Sequence, residues 1–394
     1  MMRVVYDAIV VGARCAGSPL AMLLARLGHR VLLLDRARFP SDTVSTHYIH
    51  QPGVARLKRW GLLDRLRATG CPPILDMGWD IEGIRFVGRP PSPDGVTEGF
   101  GPRRTALDEM LARAAEEAGA ELREAFTVKE IVWEEGRAVG IRGRERGGAM
   151  VGERARVVVG ADGLRSTVAR EVGAEPYEQH APRTHAYYTY WDGVGLDRLD
   201  FYGLPGLGGA AFPTNDGLAM VSVVFSTTEY PEGVRGDIEG SYLAGLRRFP
   251  LLAEKVLAGE RVERFAGMHR VPNHFRRSAG PGWALLGDAG YHKDPAAAQG
   301  ITDAFRDAEA LAEAIDRGLG DPATLDGELA AYARHRDEVA MPWFRWALRV
   351  ARLEALSPPA RQLYETIAAD EEWSNRFCGL NAETVNPDAF FSGT

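Results

Sequence analysis

The residues best suited to chemistry lie in residues 283–315, WALLGDAGYHKDPAAAQGITDAFRDAEALAEAI. Asp288 follows a short apolar run, Ala284-Leu285-Leu286, and Gly287. Pro295 and Gly300 punctuate the loop beyond it, and Ile301, Phe305, Ala308 and Leu311 then recur at helical spacing. The order is strand, acidic turn, loop, helix start. An ionised carboxylate only accepts hydrogen bonds, so Asp288 suits a ligand rich in hydroxyls. A helix start carries unpaired N–H groups and about half a positive charge, so Gly300-Ile301-Thr302 suits a group that bears or develops negative charge. The two features lie twelve residues apart, and together they fit a ribityl chain and a reduced flavin ring. Alone, the same residues read equally well as an ordinary buried strand-to-helix turn.

Two stretches far upstream break that tie. VVYDAIVVGARCAGSPLAMLLARLGHRVLLLDR reads as an apolar strand over 8–11, a turn from Gly12 to Gly17, an apolar helix, and a second strand over 31–34 closed by Asp35. Asp35 comes 23 residues after Gly12, where a dinucleotide fold places an acid on ribose hydroxyls. In RVVVGADGLRSTVAR a strand over 157–159 runs into Asp162-Gly163 and then into a cation-bearing helix. With these three motifs in order, the chain resembles the flavoprotein monooxygenases of the para-hydroxybenzoate hydroxylase superfamily, with geranylgeranyl reductases and flavin-dependent halogenases as wider relatives. The resemblance covers the cofactor-binding parts, roughly half the chain.

The resemblance assigns roles by position. Gly12, Ala13, Arg14 and Gly17 would flank the FAD pyrophosphate, with Asp162 and Gly163 over it. Asp35, with Arg36 beside it, would hold the adenosine ribose, and Val128 would touch the adenine through its backbone. Asp288 would bind the ribityl chain, while Pro295, Gly300 and Ile301 would line the flavin ring. Arg104, in RRTALDEML, matches an arginine that opens a helix beside the pyrophosphate, where a guanidinium suits two phosphates; a solvated first-turn arginine is the plainer alternative. Two positions depart from the pattern. Arg14 replaces the middle glycine of the fingerprint, which normally lets the backbone approach pyrophosphate; its side chain either points away or adds a charge to the phosphates. Thr302 stands where the monooxygenases usually place Asn.

The element before these motifs ends in a polar loop, SDTVSTHYIHQ, over 41–51. The resemblance brings this loop close to the flavin ring, with Thr46 among the cofactor contacts. Ser45, Thr46, His47, His50 and Gln51 make it the densest hydrogen-bonding cluster in the chain. His47 is the first candidate for a substrate-orienting or proton-relay residue, with Pro295 as its companion at the site. A histidine that merely fixes loop backbone is the alternative.

The architecture expected is α/β: a Rossmann-like FAD-binding domain (1–76, 101–175 and 277–340) interleaved with an antiparallel-sheet substrate domain (77–100 and 176–276), plus a C-terminal helical segment (341–394). Strands over 83–87 and near 96–100 would flank the turn-rich GRPPSPDG and join the second sheet. Residues 176–276 hold aromatic and β-branched runs broken by Gly, Pro and Asn215-Asp216-Gly217, with one helix near 238–249. A sheet whose apolar face meets the cofactor domain makes a pocket at a domain boundary. Tyr187, Tyr188, Tyr190, Trp191, Phe201, Tyr202, Phe212 and Phe225 could line it, two or three of them touching substrate. A helix over 329–338 and a second beginning at WFRW would follow.

Composition narrows the class further. At 394 residues the chain can bury a large core. Its 47 basic and 54 acidic residues give a net charge of −7 and are interspersed, so no basic stripe points to nucleic acid. Cys15, Cys71 and Cys378 show neither pairing nor metal spacing, and no metal is expected; a reducing cytoplasm is. The apolar helix after Gly17 is too short to span a bilayer and is interrupted by Arg26. With the first strand beginning almost at once, no signal peptide is expected.

Three chemistries share this scaffold, so the fold leaves function open. Halogenases of this kind keep a Trp-x-Trp-x-Ile-Pro stretch and a tunnel lysine. The matching residues here, Gly209-Ala210-Ala211-Phe212-Pro213, have no tryptophan, and none of the four lysines takes the tunnel position, although Lys293 lies near the flavin loop. Geranylgeranyl reductases usually show aromatic-x-Trp-x-Phe-Pro-Lys; Phe212-Pro213 is kept, but Thr214 replaces the lysine. The resemblance therefore implies an FAD-dependent hydroxylase or epoxidase using NAD(P)H and oxygen on a largely apolar small molecule, aromatic or not. An ene reductase or dehydrogenase is the alternative. A separate reductase partner is implied only if NAD(P)H does not reduce the flavin directly, and a homodimer is left open.

Overall fold

The computed structural model describes residues 5–145, 147–230, 234 and 236–392. Its main sheet runs in the order Ala279–Gly280, Trp283–Leu285, Val151–Gly160, Val5–Val11, Val31–Leu34, Glu121–Arg123, with Arg137–Glu145 and Phe126–Glu134 attached through Val151–Gly160. Val5–Val11 is parallel to both of its neighbours, and Trp283–Leu285 is parallel to Val151–Gly160. Strands in the middle of a parallel sheet are covered on both faces and so read as continuous apolar runs. Here Val10, Leu33, Val157 and Val159 face one core, where helices Gly17–Arg26, Arg104–Glu117 and Gly300–Gly318 pack. Ile9, Leu32, Leu34 and Val158 face the other, with Phe126, Ile131 and Ile141.

The second sheet runs Glu260–Arg261, Thr184–Asp192, Ala219–Ser226, Leu207–Pro213, Leu199–Leu204, Met77–Ile81, Ile84–Gly88. One face packs on helices Ile238–Arg247 and Pro250–Leu257 through Trp191, Phe225, Tyr242, Leu246 and Leu252. The other meets Trp346, Ile367, Phe377 and Phe390 from the C-terminal helices.

Three local expectations are corrected. The residues near 96–100 do not join the second sheet: Gly99–Phe100 pairs with Pro73–Ile74 in a separate ladder. The expected helix near 238–249 is followed by a second, Pro250–Leu257, opened by its proline at the first helical turn. Pro322–Val350 is one helix that continues through Pro342, so the two helices expected over 329–338 and from WFRW are a single element. Among the described residues no helix is long and apolar enough to cross a membrane.

Candidate functional site

The carboxyl ends of the parallel strands converge on the residues singled out above. Gly12 N–H donates to Leu34 O at 2.7 Å, and Ala161 N–H donates to Val11 O at 2.7 Å, so the turns after three strands are bolted together. Gly12 has φ +107°, and a Cβ there would lie 2.3 Å from Ala161 O. A Cβ on Gly17 would lie 1.8 Å from Gly12 O. Both positions need glycine because backbone meets backbone. The helix that follows, Gly17–Arg26, starts with no side-chain cap and no acid in its first turn. Gly300–Gly318 also starts without a side-chain cap, as do Gln51–Arg59, Leu63–Ala68, Arg104–Glu117 and Pro250–Leu257, and the one acid of its first turn, Asp303, is paired with Lys293 and Arg306. Two uncapped helix starts leave N–H groups free for an anionic ligand.

The carboxylates divide by what holds them. Asp35 is buried and accepts from Ala13 N–H and Ala37 N–H, each at 2.8 Å, which fixes the turn against the second strand. Arg36 beside it is exposed. The Asp35 carbonyl accepts from Phe126 N–H at 2.8 Å, so buried Val128 lies just beneath this end of the sheet. Asp162 turns its carboxylate to its own segment, accepting from Ser166 Oγ at 2.5 Å and Thr167 N–H at 2.6 Å; burial raises its pKa. Only its backbone approaches Gly12, and Gly163 follows at φ +77°. Asp288 is exposed on the short turn Gly287–Ala289, with Gly287 at φ +61° against Ala16. Its charge is felt by Cys15 and Arg104, so it faces the glycine turn.

A buried acid that sequence reading missed organises the arginines. Asp108, fully buried, accepts from Arg14 Nη1 at 2.6 Å and from Arg104 Nε and Nη2 at 3.0 and 2.9 Å. Arg14 also reaches the carbonyl and hydroxyl of Ser41 at 3.1 and 2.8 Å. Its side chain thus leaves the turn toward Asp108 and the 41–51 loop. Arg104 is buried and held by its own helix, one turn back from Asp108, rather than solvated. The signal was the Arg-to-Asp spacing of four in RTALD. Cys15 lies against Arg104 at 3.6 Å, and burial pushes its thiol up to about 11, which makes it a packing residue.

On the other side of the site is a cavity of about 640 Å³, lined by Thr46, Tyr188, Phe212, Pro295, Ala298 and Trp346 among others. Of the eight aromatic residues expected there, Tyr187, Tyr188, Phe201, Tyr202 and Phe212 reach it. Trp191 and Phe225 pack on the opposite face of the sheet. Tyr190 lies under the guanidinium of Arg103, 3.9 Å from ring centre to Cζ. Pro295 opens a short 3₁₀ turn fixed by Asp294, which accepts from Ala296 N–H at 3.1 Å.

His47 is fully buried at φ +35°, its ring 5.8 Å from Tyr188, 5.7 Å from Tyr190 and 5.4 Å from Phe212. Its Nδ1 sits 3.0 Å from Ser45 O, which can only accept, so Nδ1 carries the proton and Nε2 is a bare acceptor with no protein partner. Burial, with the charges of Arg104 and Arg103, lowers its pKa to about 3. His50 is likewise buried, with a pKa lowered to about 4 by burial; its Nε2 lies 3.2 Å from Ala297 O and its N–H donates to Thr302 Oγ1 at 3.1 Å. Thr302 is thereby engaged within the protein. Among the described residues no cluster of His, Cys, Asp or Glu could hold a metal ion.

A glycine turn too tight for a Cβ, two uncapped helix starts, an exposed acid between them and an apolar cavity beyond fit an extended dinucleotide carrying a flat ring. The class these features define is a dinucleotide-binding flavoprotein. Residues 5–202 match the family model described as FAD binding domain, and the chain belongs to that family of FAD-dependent oxidoreductases. It is 30% identical over 332 residues to digeranylgeranylglycerophospholipid reductase 2 of Methanothermobacter thermautotrophicus, covering 80% of each chain. The fold is shared with the myxobacterial chondrochloren halogenase, an FAD-dependent halogenase, at TM-score 0.81 and 24% identity, over 98% of this chain and 91% of that one. It is also shared with a probable FAD-dependent monooxygenase from Pseudomonas aeruginosa, at TM-score 0.72 and 23% identity, over 95% of this chain and 99% of that one.

Proposed function

We propose that the chain is an FAD-dependent monooxygenase that hydroxylates or epoxidises a largely apolar, aromatic small molecule, with NAD(P)H as electron donor. The observation that carries this reading is the aromatic cavity of about 640 Å³ opening beside Pro295. Bound FAD supplies the activation of oxygen. The protein's share is placement, exclusion of water and electrostatics. Gly12 and Gly17 would give the pyrophosphate room, Arg104, held by Asp108, would stand beside it while Arg14 turns away to Asp108 and Ser41, and Asp288 would take ribityl hydroxyls. The N–H groups at Gly300 and Ile301 favour negative charge on the ring beside them. Thr46 reaches the cavity, whereas neutral His47 is fully buried behind Tyr188 and Phe212 and does not line it. Its pKa, lowered by burial, and its place behind the aromatic wall argue against proton delivery to a substrate.

The test is to add NADPH or NADH to the flavin-loaded protein without oxygen, then admit isotopically labelled oxygen together with candidate aromatic substrates. Bleaching followed by one labelled oxygen atom in product supports the reading. Reduction with no oxygen-dependent product counts against it, and failure of both nicotinamides to bleach the flavin assigns reduction to a separate reductase.

Alkene reduction is the second reading, supported by the 30% identity to an archaeal reductase. Its product gains two hydrogens and no oxygen. Thr214, where the reductase signature has lysine, is buried with its hydroxyl donating to Gly101 O at 2.6 Å, so no cation stands there. Halogenation finds less support: among the described residues no lysine lines the cavity, and Lys293 Nζ is paired with Asp303 Oδ2 at 2.7 Å.

A further inference from the structure

Lys293 belongs to a cluster of charges that neither cofactor binding nor the cavity uses. Its Nζ lies 2.7 Å from Asp303 Oδ2 and 3.5 Å from Glu383 Oε1. Arg306 Nη1 lies 2.8 Å from Asp303 Oδ1 and 3.4 Å from Glu383 Oε2, while its Nε lies 3.0 Å from Asp307 Oδ1. The Lys293, Asp303 and Glu383 side chains are each 5% exposed, so water screens none of these contacts. Lys293 stands two residues before Pro295, and Asp303 two residues after Ile301. The cluster thus grips both arms of the loop that carries the expected ring contacts.

The third carboxyl comes from elsewhere in the chain. Glu383 follows helix Glu371–Asn381 and is held at φ +60°. The same segment accepts two hydrogen bonds from Gln299 Nε2, at Leu380 O (3.2 Å) and Asn381 O (3.1 Å), and its Phe377 lines the cavity. We propose that Glu383 is a positioning residue of the flavin site: docked from the C-terminal segment, it completes the Lys293, Asp303 and Arg306 cluster, bracing the 294–300 loop and setting the charge behind it. The proposal rests on FAD lying against that loop, and not on which reaction the flavin serves.

Within the cluster three carboxyls, Asp303, Asp307 and Glu383, meet Lys293 and Arg306, with Arg336 acting on Asp307 and Arg56 near Glu383. Burial, then the charge of Asp303, raises Glu383 to about 8, whereas Asp303 is held low by Lys293 and Arg306 against its own burial. Glu383 in turn acts on Tyr291 and Arg56, Asp307 faces the cluster through Arg306, and buried His50 faces Lys293 and Asp303. Because the folded value lies above the unfolded one, the bracing is complete below the ordinary carboxylate range and is lost as pH rises through Glu383's folded value.

Two measurements on the full-length, FAD-loaded protein test this across pH 6.5 to 9.5. The first is amide exchange of residues 293–303, corrected for intrinsic rates; the second is the flavin midpoint potential. Wild type should show exchange about threefold or more faster at the alkaline end and a change of slope in potential against pH. Glu383→Gln should abolish both pH effects while keeping flavin. Glu383→Ala should exchange faster at every pH. The proposal is overturned if wild-type exchange does not change with pH and its potential follows the same slopes as Glu383→Gln, if Glu383→Gln follows the wild-type exchange curve, or if Glu383→Ala keeps full protection at pH 6.5. Should the variants fail to fold, the wild-type series decides alone. A protein that takes up no FAD would sink the flavin reading, while the exchange series on the same protein would still judge the brace.

Discussion

Replacing Asp108 by Asn tests the link between buried Arg104 and the pyrophosphate. Asp108 is fully buried and serves Arg104, 7% exposed, and Arg14, 23% exposed. Removing one partner of a buried ion pair typically costs about 3–5 kcal/mol because the remaining charge is left unpaired. Asparagine keeps the shape and one acceptor oxygen, and Arg14 retains Ser41, so the apoprotein should lose about 3 kcal/mol. If the Arg104 guanidinium stands beside the phosphates, bound FAD returns part of the lost compensation, and the loaded protein should lose only about half as much. The thermodynamic cycle then requires FAD to bind the variant about tenfold more tightly, since about 1.4 kcal/mol is a factor of ten. Urea unfolding with and without saturating FAD gives both differences, and calorimetric titration checks the affinity. An apoprotein loss under about 0.5 kcal/mol would be surface-like and would refute the burial argument. Weaker FAD binding in the variant would refute the placement of Arg104.

Other perturbations probe the remaining parts of the site. Asp288→Ala should weaken FAD binding by about 1–3 kcal/mol through hydroxyls left without an acceptor; full yellow occupancy in that variant at low FAD would contradict its assignment. Gly17→Ala places a Cβ 1.8 Å from Gly12 O, so the turn must distort, and FAD retention on gel filtration should be lost while the secondary structure seen by circular dichroism stays. Acid stability should report the buried histidines. His47 and His50 have folded values lowered by burial to about 3 and about 4, below the ordinary 6.5, so stability is full above pH 6.5 and falls with acidification. Each should remove about 2 kcal/mol by pH 5. A His47→Gln variant that loses as much stability as wild type between pH 7 and 5 would show that His47 is not buried neutral.

The parts of this site that could be read from sequence are those whose signal is local. The glycine turn, the Asp35 spacing and the run from strand to Asp288 to helix each compress a backbone requirement into a few consecutive residues. Fold class followed from their order. Element ends at turn-rich stretches were less legible: Gly99 and Phe100 have strand character, but their partner, Pro73–Ile74, is chosen by tertiary packing. Pro342 reads as a helix stop, yet buried Trp343, Phe344, Trp346 and Ala347 keep the helix going past it. The Asp162 carboxylate could be counted as a ligand group or as a helix cap, and only the Ser166 and Thr167 hydrogen bonds distinguish the two. Least legible was the pairing of Lys293 with Glu383, 90 residues away in sequence. A lone lysine near a loop carries no mark of its partner, because such pairs are set by the three-dimensional path of the chain.

The account rests on where the ring lies, and the electron density of FAD-grown crystals tests that most directly. The expected density runs from the Gly12–Gly17 turn past Asp288, with the ring against Pro295 and the start of helix Gly300–Gly318, and the cavity bounded by Tyr188 and Phe212 open beside it. Density that places the ring away from Pro295, or a cavity closed by side chains once FAD is bound, would contradict it.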